Sequence, residues 1–263
     1  MTDINGHIIK PDWPAAENIH AFCTTRKNGV STGVYAGNNL GLHVEDNPQH
    51  VLANRQQMIR QFNLPEEPRW LDQVHGNRVI NANYIYPGSL SGQKDNNQLT
   101  QTDGLLADAS FSETANTVCA VMTADCLPML ICNRKGNKVA AAHVGWRGLA
   151  DDVIEATVAS LSERHSELLI WLGPAIGAHA FEVGEEVFNI FVNNQPKAIE
   201  AFKQNRQGHY LADIYLLAKL RLHNIGIREI YGGEYCTYTD ADQFYSYRRD
   251  GKTGRQASLI WFE

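Results

Sequence analysis

The stretch Val118–Gly148, VCAVMTADCLPMLICNRKGNKVAAAHVGWRG, carries three short apolar runs broken by turn residues. Val118–Met122 and Leu127–Cys132 flank a Thr-Ala-Asp-Cys turn, and Lys138–Val144 follows a Lys-Gly-Asn turn. Apolar runs of this length, bounded by turn signals, predict strands buried on both faces. Outward from them the pattern alternates. Ile19–Thr24 reads as a strand, followed by a loop through Gly29, Gly33, Gly37 and Gly41. Asn47 caps a helix with Pro48 in its first turn, running to about Phe62. Arg69–His75 and Asn77–Ala82 read as short strands around a turn at Gly76. Asp151 and Asp152 begin a helix to about His165, their charges suiting its dipole, and Leu168–Leu172 is a strand. Helices near Gly184–Asn193 and Ala212–Gly226 and strands at Ile227–Tyr231 and Ala257–Phe262 complete the pattern. The polar stretch Tyr86–Thr102 reads as a surface loop within a domain. With neither repeat nor linker, the expectation is one α/β (α+β) domain over residues 1–263, a layered sandwich of β-sheet and helices.

Composition narrows the function. A chain of 263 residues removes about three quarters of its surface from water on folding, so one core suffices without disulfides or a structural metal. The net charge of −6 disfavours coating nucleic acid or an anionic membrane, while leaving room for a local basic pocket. The five cysteines (23, 119, 126, 132 and 236) are odd in number and form no CxxC. Residues 1–20 lack a basic start followed by an apolar stretch, and Val118–Cys132 is too short and too interrupted to span a bilayer. These features predict a cytoplasmic protein with reduced thiols, and the sequence does not set its oligomeric state.

Three places put reactive side chains among small residues, where a backbone can approach a ligand. They are Gln73-Val74-His75-Gly76, Thr123-Ala124-Asp125-Cys126-Leu127-Pro128 and Ala142-His143-Val144-Gly145-Trp146-Arg147-Gly148. Cys126 and His143 fall at neighbouring strand ends and can meet, whereas His75 joins them only through the fold. Two chemistries fit the set. Zinc accepts imidazole nitrogen and thiolate sulfur, and a catalytic site keeps one position open. Alternatively Cys126 is a nucleophile activated by His143, with Asp103 or His75 orienting the pair. Ordinary packing of a buried cysteine and two core histidines is the third reading.

Arg26, Arg55, Arg147, Arg248 and Arg249 stand beside Gly, Thr, Asn or Ser, a setting that suits a phosphate or carboxylate as well as an exposed or structural arginine. Gly251-Lys252-Thr253 resembles the end of a phosphate loop, but Ser246 occupies the place of its first glycine, which excludes a Walker motif.

Together with Cys23-Thr24-Thr25-Arg26, Asn39-Leu40-Gly41-Leu42-His43, Gly173-Pro174-Ala175-Ile176-Gly177, Cys236-Thr237-Tyr238 and Phe244–Gly251, these segments resemble a bacterial family from about residue 20 onward. It is the polyphenol oxidoreductase (laccase-domain) family, also described as purine nucleoside phosphorylases and as a peptidoglycan editing factor. The resemblance implies a sheet between helical layers, similar to the catalytic domain of a bacterial deamidase toxin. It implies one zinc on His75, Cys126 and His143, with copper as the alternative. The implied activity is phosphorolysis of adenosine, inosine, guanosine and methylthioadenosine, with hydrolytic deamination of adenosine at the same site. Its substrates are a purine nucleoside and phosphate. Arg55 resembles an arginine that helps bind the nucleoside or phosphate; Arg147, Asn39 and His43 are carried as further binding candidates, and Asp125 or Asp103 as proton shuttle. The family often has a cysteine pair after Gly177; here His179 and Ala180 stand there, which argues against multi-copper electron chemistry.

Two other functions use the same residues. One is a cysteine- or metal-dependent hydrolase that releases a wrongly incorporated amino acid from a UDP-muramoyl precursor. The other is a non-catalytic partner protein whose metal is structural, which needs a fourth ligand from Asp103, His43 or His179.

Overall fold

A computed structural model describes residues 6–84 and 105–263. The predicted Tyr86–Thr102 loop and Asp103 lie outside them. In chain order the elements are β1 (Ile8–Ile9), β2 (Ile19–Thr24), α1 (Pro48–Gln61), β3 (Val79–Asn81), β4 (Ala109–Ser112), β5 (Cys119–Thr123), β6 (Leu127–Asn133) and β7 (Val139–Val144). Then follow α2 (Trp146–Ala150), α3 (Val153–Ser160), β8 (Leu168–Leu172), β9 (Glu182–Gly184), α4 (Glu185–Asn194), β10 (Phe202–Arg206), β11 (His209–Ala212), α5 (Ile214–Asn224), β12 (Ile230–Gly232), α6 (Tyr247–Asp250) and β13 (Gln256–Phe262).

The fold is mixed α/β. Six strands form one sheet in the order β12-β8-β6-β7-β4-β3, four form a second, β1-β2-β13-β5, and β10-β11-β9 make a small third. Alternation along the central strands explains their continuous apolar runs. Leu127, Met129 and Ile131 of β6 and Ala140, Ala142 and Val144 of β7 pack with Leu149, Ile154, Val158 and Leu217 of the helices. The alternate residues Leu130, Cys132, Val139 and Ala141 instead meet Cys119, Val121 and Ile260 of the four-stranded sheet. The outer face of that sheet buries Ala120, Met122 and Leu259 against Met58 of α1. Two sheets thus lie face to face between helical layers, where the sequence predicts a sheet between them.

Local signals hold at α1, where the Asn47 side chain accepts from the Gln49 N–H at 3.0 Å. Three expectations change. Arg69–His75 is extended but not a strand: Arg69 bridges Cys119 and Asp72 bridges Leu106, on two different neighbours. The Gln73 side chain then replaces the backbone, donating to Met122 O and accepting from Met122 N, both at 2.7 Å. The helix expected from Asp151 to His165 is α3 alone, preceded by α2. Asp152 stands at φ 64 as its N-cap and Ser162 at φ 46 lies just beyond its end, so the left-handed backbone at each limits it. Its acidic groups answer a neighbouring helix, since Arg221 of α5 pairs with Asp152 and with Glu155. Finally, β4 and the β10-β11-β9 sheet carry no apolar run (ASFS, FKQNR) and have no counterpart in the sequence reading.

Candidate metal centre and cleft

β6 and β7 pair antiparallel with Pro128 opposite His143, which brings Cys126, just before β6, to the end of β7. His75 arrives from the segment after Trp70. The three ligand atoms lie within 4.8 Å of one another, and Cys126 Sγ is 3.8 Å from His75 Nε2. Tetrahedral zinc, with bonds of about 2.3 Å to sulfur and about 2.0 Å to nitrogen, places sulfur and nitrogen about 3.5 Å apart. The donor set and its spacing fit that ion. The two imidazoles meet edge to face, 4.7 Å between ring centroids.

Asp108, which no pattern in the sequence singles out, organises the set. Its carboxylate accepts from the N–H groups of Val74 (3.2 Å), His75 (2.9 Å) and Gly76 (2.7 Å) and from His143 Nδ1 (2.8 Å). Its carbonyl accepts from the His143 N–H at 2.7 Å. With the proton on Nδ1, the Nε2 lone pair of His143 is free for a metal. The three converging amides hold His75 at φ 63, a conformation uncommon outside glycine. Burial would raise the Asp108 carboxyl, but His143 and the amides outweigh it and hold the group below the usual range. Among the described residues, Asp108 rather than His75 orients His143 through Nδ1.

Asp125, at φ 98 beside Cys126, is held by Thr237 Oγ1 donating to Oδ1 and the Arg248 N–H donating to Oδ2, both at 2.6 Å. Both Asp125 oxygens are engaged in fixing the turn; the other expected proton shuttle, Asp103, lies outside the described residues. Glycine is needed at 145. A Cβ there would lie 2.9 Å from His75 Cδ2, 3.2 Å from Cys126 Sγ and 3.5 Å from His143 Nε2.

Electrostatics favour a thiolate. Burial would raise the Cys126 thiol, yet the charge and hydrogen bonds of His143, with those of His75, lower it to about 6. Burial would lower His143, but the Cys126 charge and the Asp108 hydrogen bond raise it to about 9. The other thiols differ: burial pushes Cys23, Cys119 and Cys132 up to about 12. In chelator-stripped protein, Cys126 should therefore react with iodoacetamide at pH 7, its rate falling only as pH drops through about 6. Cys23, Cys119 and Cys132 should stay unmodified. Peptide mass spectrometry across pH 5–10 reads both; a Cys126 profile with its midpoint near the ordinary 9.0 would contradict the geometry.

The set opens into a cleft of about 470 Å³. His43, Arg147 and Arg248 line it, as do Gln73, Arg255, Met122, Trp146, Ile176, Phe181, Ile214 and Tyr247. A separate groove of about 360 Å³ around Trp13, His20 and Trp261 contains none of the three ligands. Arg147 is exposed and lies over the Trp146 ring, 4.4 Å from its centroid. Arg248 donates to Ala180 O at 3.1 Å. Arg55 does not line the cleft: it is buried, donates from Nε to Leu40 O (3.0 Å) and stacks 4.0 Å from the Trp70 centroid. Asn39 is buried too, accepting from the Gly41 and Arg255 N–H groups. Arg26 and Arg249 tie loops through backbone carbonyls.

A family model described as multi-copper polyphenol oxidoreductase laccase matches residues 20–263. The chain belongs to this laccase family. A protein of Escherichia coli strain K12 named purine nucleoside phosphorylase YfiH is 49% identical over 254 residues, 97% of this chain and 98% of the relative. A Haemophilus influenzae protein named purine nucleoside phosphorylase is 46% identical, over 97% of this chain and 99% of its own. The crystal structure of Neisseria meningitidis protein NMB0706 matches with TM-score 0.88 at 46% identity, covering 98% of this chain and 99% of that one. YlmD from Geobacillus stearothermophilus matches with TM-score 0.87 at 26% identity, covering 98% and 96%. In this laccase-family chain, His75, Cys126 and His143 are the one group of three or more such side chains, among the described residues, with ligand atoms in reach of one ion. His43 and His179 are not in it. No helix among the described residues is long and apolar enough to cross a membrane.

Proposed function

We propose that this chain is a zinc-dependent purine nucleoside enzyme. It phosphorolyses adenosine, inosine, guanosine and methylthioadenosine and hydrolytically deaminates adenosine to inosine. The carrying observation is a three-ligand His/Cys/His set opening on a cleft that offers both cationic and flat apolar groups. The names of the relatives point the same way. Zinc bound there would supply a Lewis acid with no redox chemistry, copper being the alternative ion. One such ligand group among the described residues suits polar bond cleavage better than electron transfer through several coppers. Phe181, Tyr247 and Ile176 would give a purine apolar surface, and His43, which also lines the cleft, would meet its polar atoms or the sugar. Arg147 brings charge to the cleft, while Arg55 acts from behind its wall, with Nη2 3.9 Å from Met122 Sδ. Asp108 keeps the His143 tautomer and the His75 loop in place. The two apposed sheets support one domain over 1–263, and the five free thiols support a cytoplasmic setting.

The test is purine release from adenosine by zinc-loaded protein with and without phosphate, followed by chromatography. Adenine and ribose 1-phosphate should appear only with phosphate, and inosine in either case. No release and no inosine from loaded protein would overturn the proposal.

One observation favours a second reading. Asp108, His143 and Cys126 form an orienter–base–thiolate series, as a cysteine hydrolase of a cell-wall precursor needs. Chelator-stripped protein that releases an amino acid from a UDP-muramoyl substrate, and loses this on alkylation, would establish it.

A further inference from the structure

Arg255 is a cation of the cleft that the reading above leaves unused. It precedes Gln256 at the start of β13, and its N–H is fixed by Asn39 Oδ1 at 2.9 Å. Its Nη1 donates to Thr253 O (3.1 Å) and Gly254 O (3.0 Å), which turns the guanidinium back over its own loop. Among the described residues Nε and Nη2 have no recorded acceptor, and no carboxylate forms an ion pair with the group. The side chain is half-buried, lines the cleft, and is close enough to Cys126 and Asp125 to interact with their charges. Gly41 makes room for it: a Cβ there would lie 2.9 Å from Arg255 Cγ and 3.4 Å from His43 Cε1.

The other arginines weighed from the sequence differ. Arg55 is sequestered, Arg26 and Arg249 brace loops, Arg248 is anchored on Ala180 O, and Arg147 is exposed over Trp146. A half-buried guanidinium with a fixed Nη1 and two donors to spare bears a desolvation cost that an oxyanion would offset. Its remaining edge matches two oxygens of one tetrahedral anion.

We propose that Arg255 is the phosphate seat of this cleft, gripping inorganic phosphate through Nε and Nη2, with Asn39 and Gly41 as its positioning residues. The proposal rests on the phosphorolysis reading. An oxygen of HPO4²⁻ forms a bond to ribose C1′, and the C1′–N9 bond breaks with its electron pair on the purine. The phosphate proton ends on the base, giving ribose 1-phosphate and free purine. Deamination consumes water and no phosphate, so it does not require the seat.

The test compares zinc-loaded wild type with Arg255→Gln and Arg255→Lys. Metal content, phosphate KM in purine release, and the affinity for inorganic phosphate by titration calorimetry are measured. Arg255→Gln should weaken both phosphate readouts roughly ten- to a hundredfold, while metal content stays unchanged. Arg255→Lys keeps the charge but not the fork and should fall between. Unchanged phosphate KM and affinity in both variants would overturn the seat while leaving phosphorolysis intact. A wild type that binds phosphate, loses it in Arg255→Gln, and releases no purine would overturn phosphorolysis and keep the seat. A wild type that binds no phosphate overturns the seat.

Discussion

Cys126→Ala is expected to leave a folded protein that retains no zinc after dialysis and shows no phosphate-dependent purine release. The turn that carries Cys126 does not depend on its sulfur. Asp125 is fixed by Thr237 and the Arg248 N–H, and β6 continues through its pairing with β7. Removing the thiolate takes away the only anionic ligand of the set and leaves two imidazoles, too few to hold zinc firmly. The loss should exceed the roughly 10- to 100-fold cost of deleting a hydrogen-bond partner behind a ligand. His143→Ala would be a poorer experiment. It strands the buried Asp108 carboxylate, and breaking a buried pair costs about 3–5 kcal/mol of stability. Metal analysis, purine release and thermal unfolding of chelated wild type and variant separate the effects. Metal-free Cys126→Ala with full phosphorolysis would end the metal proposal. Cys236→Ala is the control: that half-buried thiol accepts from the Gly177 N–H, outside the ligand group, so its loss should leave zinc in place.

What the sequence discloses about this site follows from which forces are local. β6 and β7 are legible because both faces of each are buried, which writes an unbroken apolar run. The meeting of Cys126 with His143 then follows from one short hairpin. His75 is different. Its place depends on Asp108, which grips three consecutive amides 32–34 residues away, and no periodicity signals such a contact. The arginines show the same division. Small neighbours indicate where a backbone can approach a ligand, not what a guanidinium finds at the end of its side chain. Arg55 finds Leu40 O and the Trp70 ring, both from other parts of the chain. Arg255 follows Gly254 and spends Nη1 on its own loop, yet Nε and Nη2 meet no acceptor among the described residues, and only the fold distinguishes the two cases. The third sheet was not legible because Phe202–Arg206 is mostly exposed and polar, and its pairing with β11 replaces any hydrophobic pattern.

Gly145→Ala should weaken zinc binding by at least about tenfold with little change in the stability of the chelated protein. At φ −66 and ψ 157, residue 145 has an extended backbone that any residue adopts, so the substitution brings no conformational strain to the start of α2. The added methyl would stand within 3.5 Å of one atom from each of the three ligands, and His75 Cδ2 at 2.9 Å is below ordinary contact. His143 cannot move aside, being held by Asp108 at both Nδ1 and its N–H, nor can Cys126, whose turn is clamped through Asp125. His75, exposed and at φ 63, is the ligand that yields, and its displacement opens the set on one side. Gly148→Ala acts through the backbone instead, since its Cβ would meet Gly76 O at 2.7 Å and shift the whole His75 loop. Competition with a chromogenic chelator gives the zinc affinity, and unfolding of the stripped proteins gives stability. Equal zinc affinity in wild type and Gly145→Ala would mean that the three side chains do not close on one ion. A large loss of stability in stripped Gly145→Ala would mean that the glycine serves the fold rather than the metal.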